Sequence, residues 1–118
     1  MTNANIYSLF ATAGDRPCII EGDAVRLHYG DLDTATAAYA NALTAAGARV
    51  GNRIVVQVEK SVENVLLYLG AIRAGLVYVP LNTAYTAAEL AYFLGDAEPA
   101  VVVCRPADEA AVRGLMVG

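Results

Sequence analysis

Apolar residues along this chain form short runs rich in β-branched side chains, separated by longer stretches in which apolar positions recur every three or four residues. The runs occupy residues 53–58, 77–80 and 100–104. The first and third are typical of strands buried on both faces of a parallel sheet. Pro80 cannot donate to a sheet ladder, so the second run is expected to end there. The pattern predicts three strands.

Helices are predicted in the stretches next to these strands, because their apolar positions fall on one helical face. The first covers residues 31–46 and ends at Gly47. The second follows Ser61, a good N-cap residue, and ends at Gly75. The positions expected to face inward are Leu32, Ala35, Tyr39, Leu43 and Ala46 in the first helix, and Val62, Val65, Leu66, Leu69 and Ile72 in the second.

A third helix is indicated by Thr86 and Glu89, which have the spacing of a capping box, and Gly95 ends it. Residues 106–114 favour a fourth helix. Strands that alternate with helices in this way are typical of a parallel sheet covered by helices. The sequence therefore predicts a single α/β domain, a parallel sheet with flanking helices.

The N-terminal quarter of the chain has a different pattern. Residues 18–20 and 25–29 are two β-rich runs on either side of Gly22-Asp23, which predicts a β-hairpin. Residues 5–10 predict one amphipathic turn of helix. We therefore expect an N-terminal hairpin in front of the parallel sheet.

The charge balance excludes several functional classes. Twelve acidic and eight basic residues give a net charge of −4, and the basic residues are scattered singly, whereas nucleic-acid binding requires clustered cations. No apolar run approaches the roughly 18 residues of a membrane span, and residues 1–5 lack the basic start of a signal peptide. Cys18 and Cys104 are isolated, which excludes a zinc site and a disulfide framework. We expect a cytoplasmic protein with no nucleic-acid or membrane partner.

Motifs that perform catalysis are missing from the sequence. Gly70 and Gly75 have the separation of a Walker phosphate loop, but two apolar residues follow where Lys and Ser or Thr are required. No dinucleotide-binding glycine motif and no Gly-x-Ser-x-Gly elbow is present. His28, the single histidine, is expected to cap a helix or lie on an edge strand, and Cys104 to be a small core residue. We predict no catalytic residue and no metal site.

A longer pattern is carried by residues 57–63, 73–75, 79–82, 86–90 and 96–99. Together these segments resemble the N-terminal subdomain of the adenylate-forming, AMP-binding acyl-CoA synthetase superfamily. Within it they are most similar to the malonyl-CoA synthetases, and the similarity covers nearly the whole chain. The resemblance assigns residues 1–118 to the N-terminal part of the large adenylation domain.

The resemblance implies an ATP-dependent reaction in two steps. A carboxylate attacks the α-phosphorus of MgATP to give an acyl-adenylate and pyrophosphate, and the thiol of CoA then displaces AMP to form a thioester. A carboxylate is a poor acyl donor until its oxygen carries a good leaving group, and the phosphates need cations and backbone donors. The implied substrate is a small carboxylate, malonate or methylmalonate, and the implied cofactors are ATP, Mg²⁺ and CoA.

In that superfamily the phosphate-binding loop, the adenylate-binding motifs and the catalytic lysine all follow the segment that this chain matches. The resemblance therefore implies that the remainder of the same protein is the main partner of residues 1–118. Taken alone, the chain is expected to bind no cofactor and to catalyse no reaction.

Arg105 and Arg113 are the candidate substrate-binding residues. Arg105 directly follows the third predicted strand and Arg113 lies two turns further on, near the edge where ligands gather in open α/β sheets. In related CoA ligases, arginines near this strand contact the CoA phosphates, and a guanidinium matches a phosphate bidentately. The alternative is that both are ordinary solvated arginines.

The chain departs from the family at two positions. His28 stands where Thr or Ser usually caps the first long helix, which costs about 1 kcal/mol of helix stability unless Asp31 takes over the cap. Asn52 replaces the usual Asp of a Gly-Asp-Arg turn, and Asn tolerates the same geometry. Neither departure touches the implied chemistry.

Two other functions stay open at this point. One is another acyl- or aryl-CoA ligase or a peptide-synthetase adenylation domain, since the acyl pocket lies outside this segment. The other is a free-standing, non-catalytic α/β binding module. A fragment of a larger domain, unlike a free-standing module, is expected to expose apolar faces and an unpaired sheet edge.

Overall fold

The computed structural model describes residues 6–9 and 15–116. A short 3-10 helix covers Ile6–Leu9, within the predicted N-terminal turn; residues 5 and 10 of that turn lie outside the described residues. Strands β1 (Pro17–Glu21) and β2 (Ala24–His28) pair antiparallel and form the predicted hairpin. Gly22 adopts a φ of 62° at the reversal, a conformation that glycine reaches without steric cost.

The remaining elements alternate as predicted. They are α1 (Tyr29–Ala45), β3 (Arg53–Gln57), α2 (Val62–Arg73), β4 (Val77–Pro80), α3 (Ala87–Ala97), β5 (Val101–Cys104), a 3-10 turn (Pro106–Asp108) and α4 (Glu109–Met116). Strand β3 lies in the middle of a three-stranded sheet of order β4-β3-β5, and both pairings are parallel. The α/β class and the parallel sheet with flanking helices are confirmed. The predicted end of the third helix at Gly95 is wrong, because α3 continues to Ala97 and ends at Glu98, which adopts a left-handed φ of 48° just before Pro99. No helix in the described ranges has the length and apolar character needed to cross a membrane.

Strand β3 is buried on both faces. Its residues Ile54, Val55 and Val56 are at most 2% exposed. Ile54 and Val56 pack against α1 and α2, in a cluster with Leu43 and Leu67. Val55 points the opposite way, because successive strand residues alternate between faces, and packs against α3 and α4. The domain therefore has three layers, with helices on both sides of the sheet.

The hairpin covers the seam between α1 and α2. A third apolar cluster joins Leu32 of α1 with Leu66 and Leu69 of α2, and Ile19 and Leu27 of the hairpin pack against it. The hairpin is thus attached to the outer side of one helical layer and forms no part of the parallel sheet.

Helices α1 and α2 approach each other closely at Gly70. A Cβ atom at this position would lie 2.7 Å from the Cβ of Tyr39 and 3.1 Å from the carbonyl oxygen of Thr36. Gly70 is therefore a packing residue inside α2, and Gly75, with a φ of 79°, follows the end of that helix. The sequence interpretation of both glycines as helix interior and helix stop is confirmed.

A polar cluster that the sequence analysis did not predict lies in the same seam. Thr36 is fully buried, and its hydroxyl bonds the carbonyl of Leu32 at 2.8 Å and the hydroxyl of Tyr7 at 2.9 Å. Arg73 donates to Thr36 at 3.1 Å and to the carbonyl of Asp33 at 2.8 Å, and it stacks over the Tyr7 ring. These bonds satisfy the buried hydroxyl and join the N-terminal 3-10 helix to α1 and α2.

The start of α1 shows how the helix is capped although His28 stands where Thr or Ser is usual. The helix begins at Tyr29, two residues earlier than predicted, with His28 as its N-cap. The Asp31 carboxylate accepts from the backbone amide of His28 at 3.0 Å and lies 3.3 Å from its ring Nδ1. These bonds hold the pKa of Asp31 below its usual range. Asp31 therefore supplies a capping interaction at this helix start.

Two predicted inward positions are wrong. Val65 is 46% exposed, and Ala46 is exposed because it is the C-cap of α1. Helix α2 contacts α1 on one side and β3 on the other, so its buried arc is centred on Leu66, Leu69, Gly70 and Ala71, away from Val65.

We predict that Gly70→Ala lowers the free energy of unfolding by about 1–3 kcal/mol, because the added methyl group would force α1 and α2 apart. The matched control is Gly95→Ala in α3, where a Cβ meets nothing within 4 Å. This control should raise stability by roughly 0.5–1 kcal/mol, since alanine is the better helix former. Chemical denaturation measures both, and equal effects of the two substitutions would contradict the close packing at Gly70.

We also predict a pH-dependent contribution from the capping box of α3. The Glu89 carboxylate accepts from the Thr86 amide at 2.9 Å, and the Thr86 hydroxyl accepts from the Glu89 amide at 3.2 Å. The bonds from Thr86 lower the pKa of Glu89 in the folded state. The contribution of Glu89 to the free energy of unfolding is therefore fully present above its pKa in the unfolded state. It is lost as the pH falls through the lowered pKa of the folded state.

The measurement compares Tm for the native chain and Glu89→Gln, which keeps an acceptor but cannot titrate. The Tm advantage of the native chain should be constant near neutral pH and should shrink between about pH 5 and pH 3. Asp31 titrates in both proteins, so its effect cancels in the difference. A difference that does not change with pH would show that the Glu89 charge has no role.

Candidate functional site

The carboxyl ends of β3, β4 and β5 meet at one edge of the sheet, because the three strands are parallel. Gln57, the last residue of β3, is buried, and its Nε2 donates to the carbonyl oxygen of Asn82 at 3.0 Å. The Asn82 side chain accepts from the amide of Ala84 at 2.8 Å. These bonds attach the loop after β4 to the end of the central strand.

Arg105, one of the two predicted binding residues, lies at this edge directly after β5. Its Nε donates to Asp108 at 2.7 Å, and its Nη1 donates to Glu59, in the loop after β3, at 2.8 Å. The two carboxylates raise the pKa of Arg105, so the guanidinium stays fully charged. Arg105 thus joins the loops that follow two neighbouring strands.

Arg113, the second predicted residue, lies on α4 and forms an ion pair with Glu109 at 3.2 Å. Both arginines line one groove of about 730 Å³ between β5 and α4. The structure therefore brings the two predicted side chains to a single surface, with Arg105 at the carboxyl edge of the sheet. Each guanidinium already has a carboxylate partner, which the sequence analysis did not predict, and Glu109 also lines the groove.

Cys104 and His28 lie apart from any catalytic arrangement. Burial raises the pKa of the Cys104 thiol, which favours the unreactive protonated form. His28 occupies the N-cap position of α1, and its ring Nδ1 lies 3.3 Å from the Asp31 carboxylate. Within residues 6–9 and 15–116, no three His, Cys, Asp or Glu side chains converge as metal ligands would. The described residues thus provide a charged groove and no nucleophile activated by a base.

Comparison with known proteins identifies the relatives of this chain. The sequence profile of the family described as "AMP-binding enzyme" matches residues 9–116. The structure is similar to MatB, a malonyl-CoA synthetase from Rhodopseudomonas palustris, in its apo and ATP-bound crystal structures, with a TM-score of 0.86 and 41% identity in both. The similarity covers 97% of this chain and 23% of the MatB chain. The resemblance drawn from the sequence motifs is confirmed.

Curated relatives include enzymes with different activities. The chain is 31% identical over 111 residues to 4-coumarate–CoA ligase 5 of Oryza sativa subsp. japonica, covering 93% of this chain and 21% of that protein. It is 34% identical over 89 residues to a linear gramicidin synthase of Brevibacillus parabrevis, covering 75% of this chain and 2% of that protein. The chain thus spans about a fifth of the ligase and a far smaller part of the synthase.

Proposed function

The chain belongs to the AMP-binding enzyme family, and on this premise we propose that it forms the N-terminal part of the adenylation domain of an ATP-dependent acyl-CoA synthetase. The observation that carries the proposal is the similarity to MatB along 97% of the chain. The proposed substrate is a small carboxylate, malonate or methylmalonate, because MatB is a malonyl-CoA synthetase and is more similar to this chain than the 4-coumarate ligase is.

The described residues do not fit ATP or Mg²⁺. Magnesium prefers carboxylate and carbonyl oxygens, but Glu59 and Asp108, two carboxylates at the carboxyl edge, are both bonded to Arg105. Gly70 and Gly75 lie within and just after α2, so they do not form a phosphate-binding loop. We therefore assign no adenylation step to these residues and place the groups that hold MgATP in the remainder of the polypeptide.

CoA fits the groove between β5 and α4 better than MgATP does. Arg105 uses Nε and Nη1 for its two carboxylates, which leaves Nη2 as a donor for a phosphate oxygen. Arg113 is 77% exposed, so its ion pair with Glu109 is weak and can exchange for a phosphate. We propose that these two arginines bind phosphates of CoA, while the bonds to Glu59 and Asp108 fix the position of Arg105.

The proposed role of this chain in the reaction is to hold and orient CoA. The bond from Gln57 to Asn82 and the ion pair between Arg105 and Glu59 fix the loops at the carboxyl edge. Because these loops are already fixed, the protein loses less conformational entropy when CoA binds to them. The thioester chemistry then belongs to residues that follow this segment.

We predict that the full-length product of the gene, cloned with its flanking sequence, forms AMP and an acyl-CoA thioester from ATP, CoA and malonate. Residues 1–118 alone should form neither, because the residues that the structure describes among them do not fit MgATP. Coupled detection of AMP and mass spectrometry of the thioester provide the measurement, with 4-coumarate and a long-chain fatty acid as competing substrates. Higher kcat/KM for one of these acids would contradict malonate as the substrate. A reading frame that ends at position 118 with no companion polypeptide would contradict the ligase itself.

We predict that Arg105→Ala in the full-length enzyme raises KM for CoA by about 10- to 100-fold, as expected for loss of a charged hydrogen bond, and leaves KM for ATP and malonate unchanged. Arg26→Ala is the matched control. Arg26 also forms ion pairs with two carboxylates, Glu21 and Glu63, and its side chain is 40% exposed compared with 38% for Arg105. The control should change none of the three constants. An equal KM for CoA in both variants would remove Arg105 from the CoA site.

A further inference from the structure

Most basic side chains of this chain already have a bonding partner. Six of the eight bond a carboxylate or a backbone carbonyl, namely Arg26, Arg49, Arg53, Arg73, Arg105 and Arg113. Among the residues that the structure describes, the side chains of Arg16 and Lys60 have no such partner. Arg16 precedes the hairpin, whereas Lys60 lies in the loop after β3, at the carboxyl edge of the sheet. Lys60 is the single lysine of the chain and is exposed, so its ammonium group is available to a ligand.

The backbone of Lys60 is held on both sides. Glu59, which precedes it, accepts a bond from Nη1 of Arg105 at 2.8 Å. Ser61, which follows it, caps α2 by accepting from the amide of Asn64 at 3.0 Å. Neighbouring Cα atoms lie about 3.8 Å apart, and lysine carries an ammonium group with three donors on a flexible four-carbon stem. The ammonium of Lys60 can therefore reach a ligand that is bound at Arg105.

The charges around Arg105 call for a second cation when a phosphate binds. Arg105 contributes one positive charge, whereas its partners Glu59 and Asp108 contribute two negative charges. A phosphate monoester carries a charge of about −1.5 to −2 at neutral pH, so the net negative charge of these three residues repels it. The ion pair on α4 is neutral overall and leaves this sum unchanged. With Lys60 included, the charges at this edge balance.

We propose that Lys60 is a further substrate-binding residue, which holds the phosphate monoester on the ribose of CoA together with Arg105. The proposal rests on the proposed function, in which Arg105 contacts a phosphate of CoA. A monoester presents three terminal oxygens. Arg105 keeps Nη2 for one of them, and the ammonium of Lys60 donates to the others. Each phosphorus of the diphosphate bridge of CoA carries a single negative charge and has less need of two cations. Lys60 therefore distinguishes CoA from dephospho-CoA, which lacks the monoester.

Isothermal titration calorimetry of the full-length protein with CoA and with dephospho-CoA tests this proposal. Lys60→Gln removes the charge but keeps a long polar side chain, and it should raise Kd for CoA about 10-fold, as expected for loss of a charged hydrogen bond. Its Kd for dephospho-CoA should equal that of the native protein. Lys60→Arg keeps the charge and should recover most of the affinity for CoA. An unchanged Kd for CoA in Lys60→Gln, an equal loss for both ligands, or no binding of CoA to the native protein would overturn the proposal.

Arg49→Gln is the matched control, because it also removes one positive charge from an exposed side chain. Arg49 precedes β3 and so lies near the amino edge of the sheet, at the opposite end of the strand from Lys60. This control should change neither Kd. A loss of CoA affinity equal to that of Lys60→Gln would show an effect of net charge alone and would remove Lys60 from the site.

The calorimetric readout is independent of enzyme activity. A full-length protein that forms no acyl-CoA thioester but binds CoA with this dependence on Lys60 contradicts the proposed ligase activity alone. An active ligase whose affinity for CoA does not depend on Lys60 contradicts the role of Lys60 alone. In an active ligase, Lys60→Gln should also lower kcat/KM for CoA relative to that for dephospho-CoA.

Discussion

The structure depends on the burial of one strand from both sides. Ile54 and Val56 bind the layer formed by α1 and α2, and Val55 binds the layer formed by α3 and α4. Because neighbouring residues of a strand point to opposite faces, a shift of one residue in β3 would place every one of these side chains in the wrong layer. The burial of three β-branched residues therefore fixes the register of the sheet and the position of both helical layers.

The charged edge is a consequence of that register. In a parallel sheet all strands end on the same side, so the loops after β3 and β5 meet, and Glu59 comes within 2.8 Å of Arg105 although 46 positions separate them. Gln57 and Asn82 meet for the same reason. The side chains that we propose to bind a ligand are thus positioned by apolar residues that never contact it.

Local chemistry explains what could be predicted from the sequence. The capping box at Thr86 and Glu89, the helix stop at Gly75 and the β-branched runs each depend on residues close together in the chain, and all three are confirmed. The buried position of Thr36 depends on Tyr7 and Arg73, which are 29 and 37 positions away. No periodicity identifies such a contact, and for the same reason the carboxylate partners of Arg105 were not predicted.

The two carboxylates beside Arg105 act on a phosphate in opposite ways. Glu59 and Asp108 carry two negative charges next to one positive charge, so they repel an incoming phosphate and weaken binding. They also hold Nε and Nη1 of the guanidinium and so restrict the side chain before any ligand arrives. A restricted side chain loses less rotamer entropy when it binds a ligand. Arg105 and Glu59 are both partly exposed, so water and salt screen the repulsion of a phosphate and also weaken the ion pair that restrains the guanidinium. Both effects therefore decrease as the ionic strength rises, and the bonds at 2.7 Å and 2.8 Å fix the orientation in which the guanidinium meets a ligand.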